Sequence, residues 1–292
     1  MWIALSLIVA VIDSISVAIT KKATKTIDEY AYLLLINIFF LPIAAVYVVF
    51  FAGIPGYIPL EFFLIIGLSS IIDVIGFSCA VKGIKRSHIS LIGPVSAFYP
   101  VFVTIVSYLL LQESPTPLKL GGIGLVVVGS YLLHIQDVRN GIFQPFRELF
   151  SHQGVQLYLV SQIIWSVTPI AQKKAILMTV PQVPMFTSLV NFSLITLYLI
   201  PLALFHQPLR KVVSSSKGYV PLFILLGLLF FISDLSLYNA FILTNVAYVM
   251  SLVKVSVILT IIIGALVFKE ERIRERLVGS LVMIAGTVLL VV

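Results

Sequence analysis

Four charged residues sit well inside long apolar stretches: Asp13, Asp73, Asp234 and Lys254. A charge at the centre of a membrane-crossing helix costs about 2.5–3.5 kcal/mol on insertion scales, so each needs a partner, a wet cavity or a function. A carboxylate so placed can bind a cation or trade it for a proton, because burial favours its neutral form and a nearby cation favours its charged form. A buried ammonium can hold a substrate carboxylate or phosphate. The plainer reading of each is a fixed interhelical ion pair or packing hydrogen bond. Three acids and one base cannot all pair one to one, so at least one acid is protonated, solvated or held by polar neighbours.

Helical spacing gives each charge a face. Ser6, Asp13, Ser16 and Thr20 share one stripe, and Ser14 follows Asp13. Ser69, Asp73, Gly76 and Ala80 form a small-residue face, while Gly227, Phe231, Asp234, Tyr238 and Phe241 form an aromatic one. Ala247, Ser251, Lys254 and Ile258 make the fourth. Trp165, Tyr99, Tyr238 and Tyr248 can line a cavity or simply pack, and Asn37, Asn191 and Asn239 read first as interhelical hydrogen-bonding residues. The expected substrate-binding set is Lys254, Asp13, Asp234, Tyr238, Trp165, Ser14 and Tyr99, with Asp234, Asp13 and Asp73 as proton-coupling candidates.

Catalytic and metal chemistry finds no footing in the sequence. His88, His134, His152 and His206 are scattered, without metal-ligand spacing. There is no phosphate-binding loop and no nucleophile elbow. The expectation is no enzyme, no cofactor and no metal. An intramembrane enzyme of lipid metabolism would need clustered acids at one interface, and a non-transporting scaffold would need a sealed apolar interior.

The elements that must position these residues are membrane helices. Of 292 residues, 60% are hydrophobic and 11% charged, with a mean hydropathy of +1.13; soluble domains carry about 25% charged residues. A bilayer core about 30 Å thick takes roughly 20 helical residues per crossing. Ten spans follow: 2–20, 31–52, 59–81, 87–111, 118–135, 155–177, 182–205, 219–242, 245–268 and 275–292. The first begins at Trp2 with no basic leader, so it reads as a span rather than a cleaved signal. The net charge of +7 sits mostly in short loops, as topogenic charge and not as a nucleic-acid surface. Cys79 stands alone, so no intramolecular disulfide can form.

The chain is written twice. Residues 87–135 recur without a gap at 244–292: Glu113 falls on Glu270, Gly122 on Gly279 and Gly129 on Gly286. Ser14 matches Ser166, Lys21-Lys22-Ala23 matches Lys173-Lys174-Ala175, Asn37 matches Asn191, and Ala80 matches Ala240. Asp73 falls one residue short of Asp234. Repeats of this kind in apolar sequence point to transporters. Five spans per copy is odd, so the second copy enters from the opposite side. The expected architecture is all-α, with repeats at 1–135 and 154–292 about a linker at 136–153. Lys254 falls on Ala97 and Asp13 on Trp165, so the working residues are expected where the copies disagree.

The paired hairpins Leu109-Leu110-Leu111-Gln112-Glu113 and Val267-Phe268-Lys269-Glu270-Glu271, each followed by two glycines, carry a resemblance to the drug/metabolite transporter superfamily, in its ten-span EamA-type branch. It covers nearly the whole chain. It implies a cavity lined by spans 1–4 and 6–9, with spans 5 and 10 as outer supports. The chain departs from the pattern in span 2, which offers Asn37 where an Arg is usual, and in its prolines: Pro94 and Pro100 lie in span 4 and none in span 9. The resemblance implies both termini in the cytoplasm. Most of the 19 Lys and Arg residues follow odd-numbered spans, and positive-inside counting opposes that by placing the termini outside.

The function expected is alternating-access transport of a small polar or amphipathic metabolite, an amino acid or organic anion, across the plasma (inner) membrane, with protons or counter-substrate as the drive. The second reading is a proton-coupled exporter of cationic or drug-like compounds through Asp13 and Asp234.

Overall fold

The computed structural model describes residues 1–23, 27–86, 99–134, 153–206, 217–256, 258–259 and 273–291. Ten crossings emerge as α1 (Trp2–Ala23), α2 (Glu29–Tyr47), α3 (Leu60–Arg86), α4 (Tyr99–Leu111), α5 (Pro117–His134), α6 (Gln153–Trp165), α7 (Thr168–Met178), α8 (Pro184–His206), α9 (Val220–Leu243), α10 (Val246–Val253) and α11 (Ile273–Val291). The sixth crossing is broken into α6 and α7. Pro94, Ala97, Glu270 and nearly all of the 136–153 linker lie outside the described residues. Among the described residues there is no β-strand, only an isolated bridge between Tyr57 and Val180.

Helices form because backbone in lipid must satisfy its own hydrogen bonds. Their ends follow local chemistry. Asp28 caps α2, accepting from the amides of Tyr30 and Ala31 at 3.0 and 3.3 Å. α2 continues through a π-turn, Val48–Ala52, and stops at Gly53, whose φ of +81° suits glycine. Five stretches are long and apolar enough to cross a bilayer: Tyr30–Ala52, Leu60–Ala80, Gln153–Met178, Pro184–His206 and Val220–Leu243. Trp2–Ser16, Tyr99–Leu111, Pro117–Gly129 and Leu281–Leu290 are shorter apolar helices. Phe50, Phe51, Leu68 and Phe205 are fully outward-facing apolar side chains, as a lipid solvent permits.

The packing pairs the two repeats crosswise. The third crossing packs on the sixth and the first on the eighth; the second packs on the eighth and the seventh on the third. α2 meets α8, α4 meets α10, and α5 meets α11, each with its own repeat counterpart. Each contact thus maps onto itself or another when the copies are exchanged. Connections after even-numbered crossings gather at one end. Tyr57 and Val180 exchange backbone hydrogen bonds of 3.0 and 3.2 Å there, and the turn after α4 meets the start of α10. The molecule is an all-α polytopic membrane protein of two inverted five-helix repeats.

Candidate functional site

A cavity of about 250 Å³ opens where α2, α3, α6, α7, α8 and α9 converge. Its polar lining is Asn37, Asp73, Gln172, Asn191, Asp234 and the Tyr238 hydroxyl, and Trp165 contributes its indole. None of its lining residues is basic. Asp73 stands at the middle of α3 and Trp165 at the middle of the broken crossing, so the cavity sits at mid-membrane depth, where repeat-built transporters hold substrate.

Pro169 explains the break between α6 and α7. It has no N–H to offer the carbonyl four residues earlier, which belongs to Trp165. That carbonyl instead accepts from Thr168 Oγ1 at 3.2 Å and from the Tyr99 hydroxyl at 3.5 Å. The indole is then laid flat against α3: a Cβ on Gly76 would come within 2.6 Å of Trp165 Nε1. That nitrogen donates to the Asp73 carbonyl at 3.2 Å.

The two carboxylates are held differently. Asp73 Oδ2 receives long hydrogen bonds from Gln172 Nε2 and Asn191 Nδ2, both at 3.5 Å. Asp234 is buried, and its Oδ2 accepts from Ser188 Oγ at 2.7 Å. Asn191 is oriented by Ser70, which donates to Asn191 Oδ1 at 2.9 Å. Its amide nitrogen therefore faces Asp73 and the Tyr238 hydroxyl, the latter at 3.5 Å. Asn37 donates Nδ2 to the Leu33 carbonyl at 2.9 Å, leaving its Oδ1 buried without a donor among the described residues.

Of the residues singled out from sequence, Asp73, Asp234, Tyr238 and Trp165 line this cavity, whereas Asp13, Ser14, Tyr99 and Lys254 do not. Asp13, Tyr99 and Lys254 form a neighbouring cluster, joined to the cavity wall by the bond from the Tyr99 hydroxyl to the Trp165 carbonyl. The Lys254 ammonium lies 4.7 Å from the centre of the Tyr99 ring and is an electrostatic neighbour of Asp13. Ser14 is buried and donates to the Val11 carbonyl of its own helix. Asn37, Asn191 and Gln172 are cavity residues that span reading alone leaves as packing groups or passes over. The match of Asn37 to Asn191 was the available signal for two of them.

A second charged cluster closes the structure at one end. Lys173 is buried and pairs with Glu113, and it donates to the Thr244 carbonyl at 2.7 Å. Glu113 Oε2 accepts from Ser107 Oγ at 2.6 Å and from the Val246 amide at the start of α10 at 3.1 Å. Lys173 and Glu113 are the joint between the fourth, sixth and ninth crossings. Among the described residues no group of His, Cys, Asp and Glu could hold a metal ion.

Comparison with known proteins agrees with this architecture. Twenty-nine solved chains match. One crystal structure, 15% identical in sequence, superposes with a TM-score of 0.72 over 99% of this chain and 98% of its own; at that identity the likeness concerns the fold alone. No curated protein matches. The family model of the EamA-like transporters matches residues 1–135 and again 152–292, one match per repeat. The chain therefore belongs to the EamA-like transporter family, in the drug/metabolite transporter superfamily.

Proposed function

We propose that this transporter is a secondary carrier of a small organic cation, such as an amine-bearing metabolite or drug-like compound, exchanged against protons. One observation carries the reading: Asp73 and Asp234 line a single mid-membrane cavity that has no basic lining residue. Two acids in a low-dielectric cavity repel each other when both are charged, and a cation or a proton relieves that repulsion. Competition between the two for one site is the minimal device for exchange. The inverted halves supply alternating access by rocking about the cavity. The reading in which Lys254 binds a substrate anion is less well supported, because Lys254 is not among the lining residues and already has Tyr99 and Asp13 as neighbours.

The test is flux in proteoliposomes across a panel of organic cations, amino acids and organic anions, with and without an imposed pH gradient. Cations should move, and the gradient should accelerate them. Asp73→Asn and Asp234→Asn should each reduce gradient-driven flux by at least about tenfold, the scale of one lost charged interaction of about 1.4 kcal/mol. Flux of anions alone, unaffected by either substitution, would overturn the proposal.

A further inference from the structure

Among the cavity amides, Asn37 has a buried oxygen with no donor among the described residues. Its orientation is not arbitrary. The Leu33 carbonyl can only accept, so the amide nitrogen must face it, and the oxygen is turned the other way. Asn37 is 5% exposed, and water is largely kept from that oxygen. A buried acceptor without a donor is costly, and native structures rarely leave one unless something else arrives to fill it.

The amide donors nearest at hand are already committed. Asn191 Nδ2 faces Asp73 and Tyr238, and Gln172 Nε2 faces Asp73. The cavity therefore offers a surplus of acceptors: two carboxylates and one amide oxygen. A group complementary to that surplus carries a positive charge and several N–H bonds. A quaternary ammonium carries the charge with none. We propose that the cavity is a primary-ammonium site, in which the substrate's N–H groups are shared among the carboxylates of Asp73 and Asp234 and the Oδ1 of Asn37. This rests on the reading of the protein as a cation carrier and adds which cations it takes. Size does not make the distinction, since a cavity of about 250 Å³ admits a small trimethylammonium group as well. Hydrogen bonding does: a site built to receive N–H groups discriminates strongly against an analogue that lacks them.

The experiment compares 2-phenylethylammonium with its N,N,N-trimethyl derivative, in the full-length carrier reconstituted in proteoliposomes. The primary amine should be transported with a kcat/KM at least about tenfold higher. Asn37→Leu should shrink that ratio by lowering the primary amine's rate more than the trimethyl compound's. Asn37→Asp, which keeps an acceptor in place, should preserve the preference and serves where the leucine variant does not fold. Equal transport of both compounds overturns the primary-ammonium assignment while leaving the cation reading intact. Loss of the preference in Asn37→Asp overturns it too. If neither compound moves and neither competes with any transported cation, the cation reading itself fails.

Discussion

Gly122 of α5 faces Gly286 of α11, the counterpart of Gly129, and Gly129 in turn faces the carbonyl of Gly279. First glycine meets second glycine in both places. Only antiparallel helices related by an in-plane axis produce that crossing, so the paired glycines record the inversion of the repeat in a single contact. Small residues let the backbones approach, which is how helices associate when lipid removes the hydrophobic drive. A Cβ on Gly286 would come within 2.7 Å of the Gly122 carbonyl oxygen and the Val126 amide nitrogen, both backbone atoms that cannot swing aside. Gly286→Val should therefore destabilise the fold by about 1–3 kcal/mol or more, seen as a lower melting temperature in detergent. Gly124→Val is the control on α5, the helix that faces α11, since nothing lies within 4 Å of its added carbon. Equal losses in both variants would contradict the close crossing.

The joint formed by Glu113 and Lys173 gives a second expectation. Both side chains are largely withdrawn from solvent, at 15% and 10% exposure. Removing one partner of a buried pair strands the other charge, at a cost of about 3–5 kcal/mol. Glu113→Gln should thus lower the melting temperature sharply, because it leaves the Lys173 ammonium with neutral acceptors and no counter-charge. Glu113→Gln with Lys173→Met should recover part of that loss. Additive losses in the double variant would mean the pair is not coupled.

The architecture was legible because its signals are periodic and duplicated. Apolar runs set the crossings, and Glu113, Gly122 and Gly129 with their repeats set the inversion. The site was only partly legible, and the reason is geometric. Expectation placed the working residues where the copies differ, at Lys254 against Ala97 and Asp13 against Trp165. The cavity gathers Asn37 with Asn191 and Asp73 with Asp234, near-equivalent positions of the two copies. It lies where the two repeats face each other, and a position close to the pseudo-two-fold axis meets its own counterpart. Of the asymmetric positions singled out, Trp165 lines the cavity, beside the break at Pro169. One sequence carries no direct mark of where such an axis runs.

Lys254 and Asp13 then become a stability question. They lie outside the cavity, with Lys254 over the Tyr99 ring. Lys254→Met should leave Asp13 as a carboxylate inside the helix bundle without a counter-charge and destabilise the protein. Lys254→Met with Asp13→Asn should be closer to the parent protein, as coupled neighbours are not additive. Thermal unfolding of the four proteins closes the cycle, and the order in which the panel of cations is preferred should be unchanged throughout. A switch in that order on Lys254→Met would place the lysine at the substrate.

Pro169 offers a way to separate the cavity's shape from its charge. Replacing it by alanine restores an N–H to the carbonyl of Trp165 and allows α6 and α7 to join as one helix. The carbonyl would then leave Thr168 and Tyr99, and the indole would turn relative to Gly76 and the Asp73 carbonyl. No charge is altered and no acceptor is removed. Pro169→Ala should therefore keep or raise the melting temperature, since it adds a backbone N–H for the Trp165 carbonyl and relieves the clash that proline makes in a continuous helix, while raising KM for the transported cation. Because Trp2 is the only other tryptophan, a Trp2→Phe background lets indole fluorescence report the Trp165 environment directly. An unchanged emission spectrum and an unchanged KM in Pro169→Ala would mean that the break does not set the indole's place.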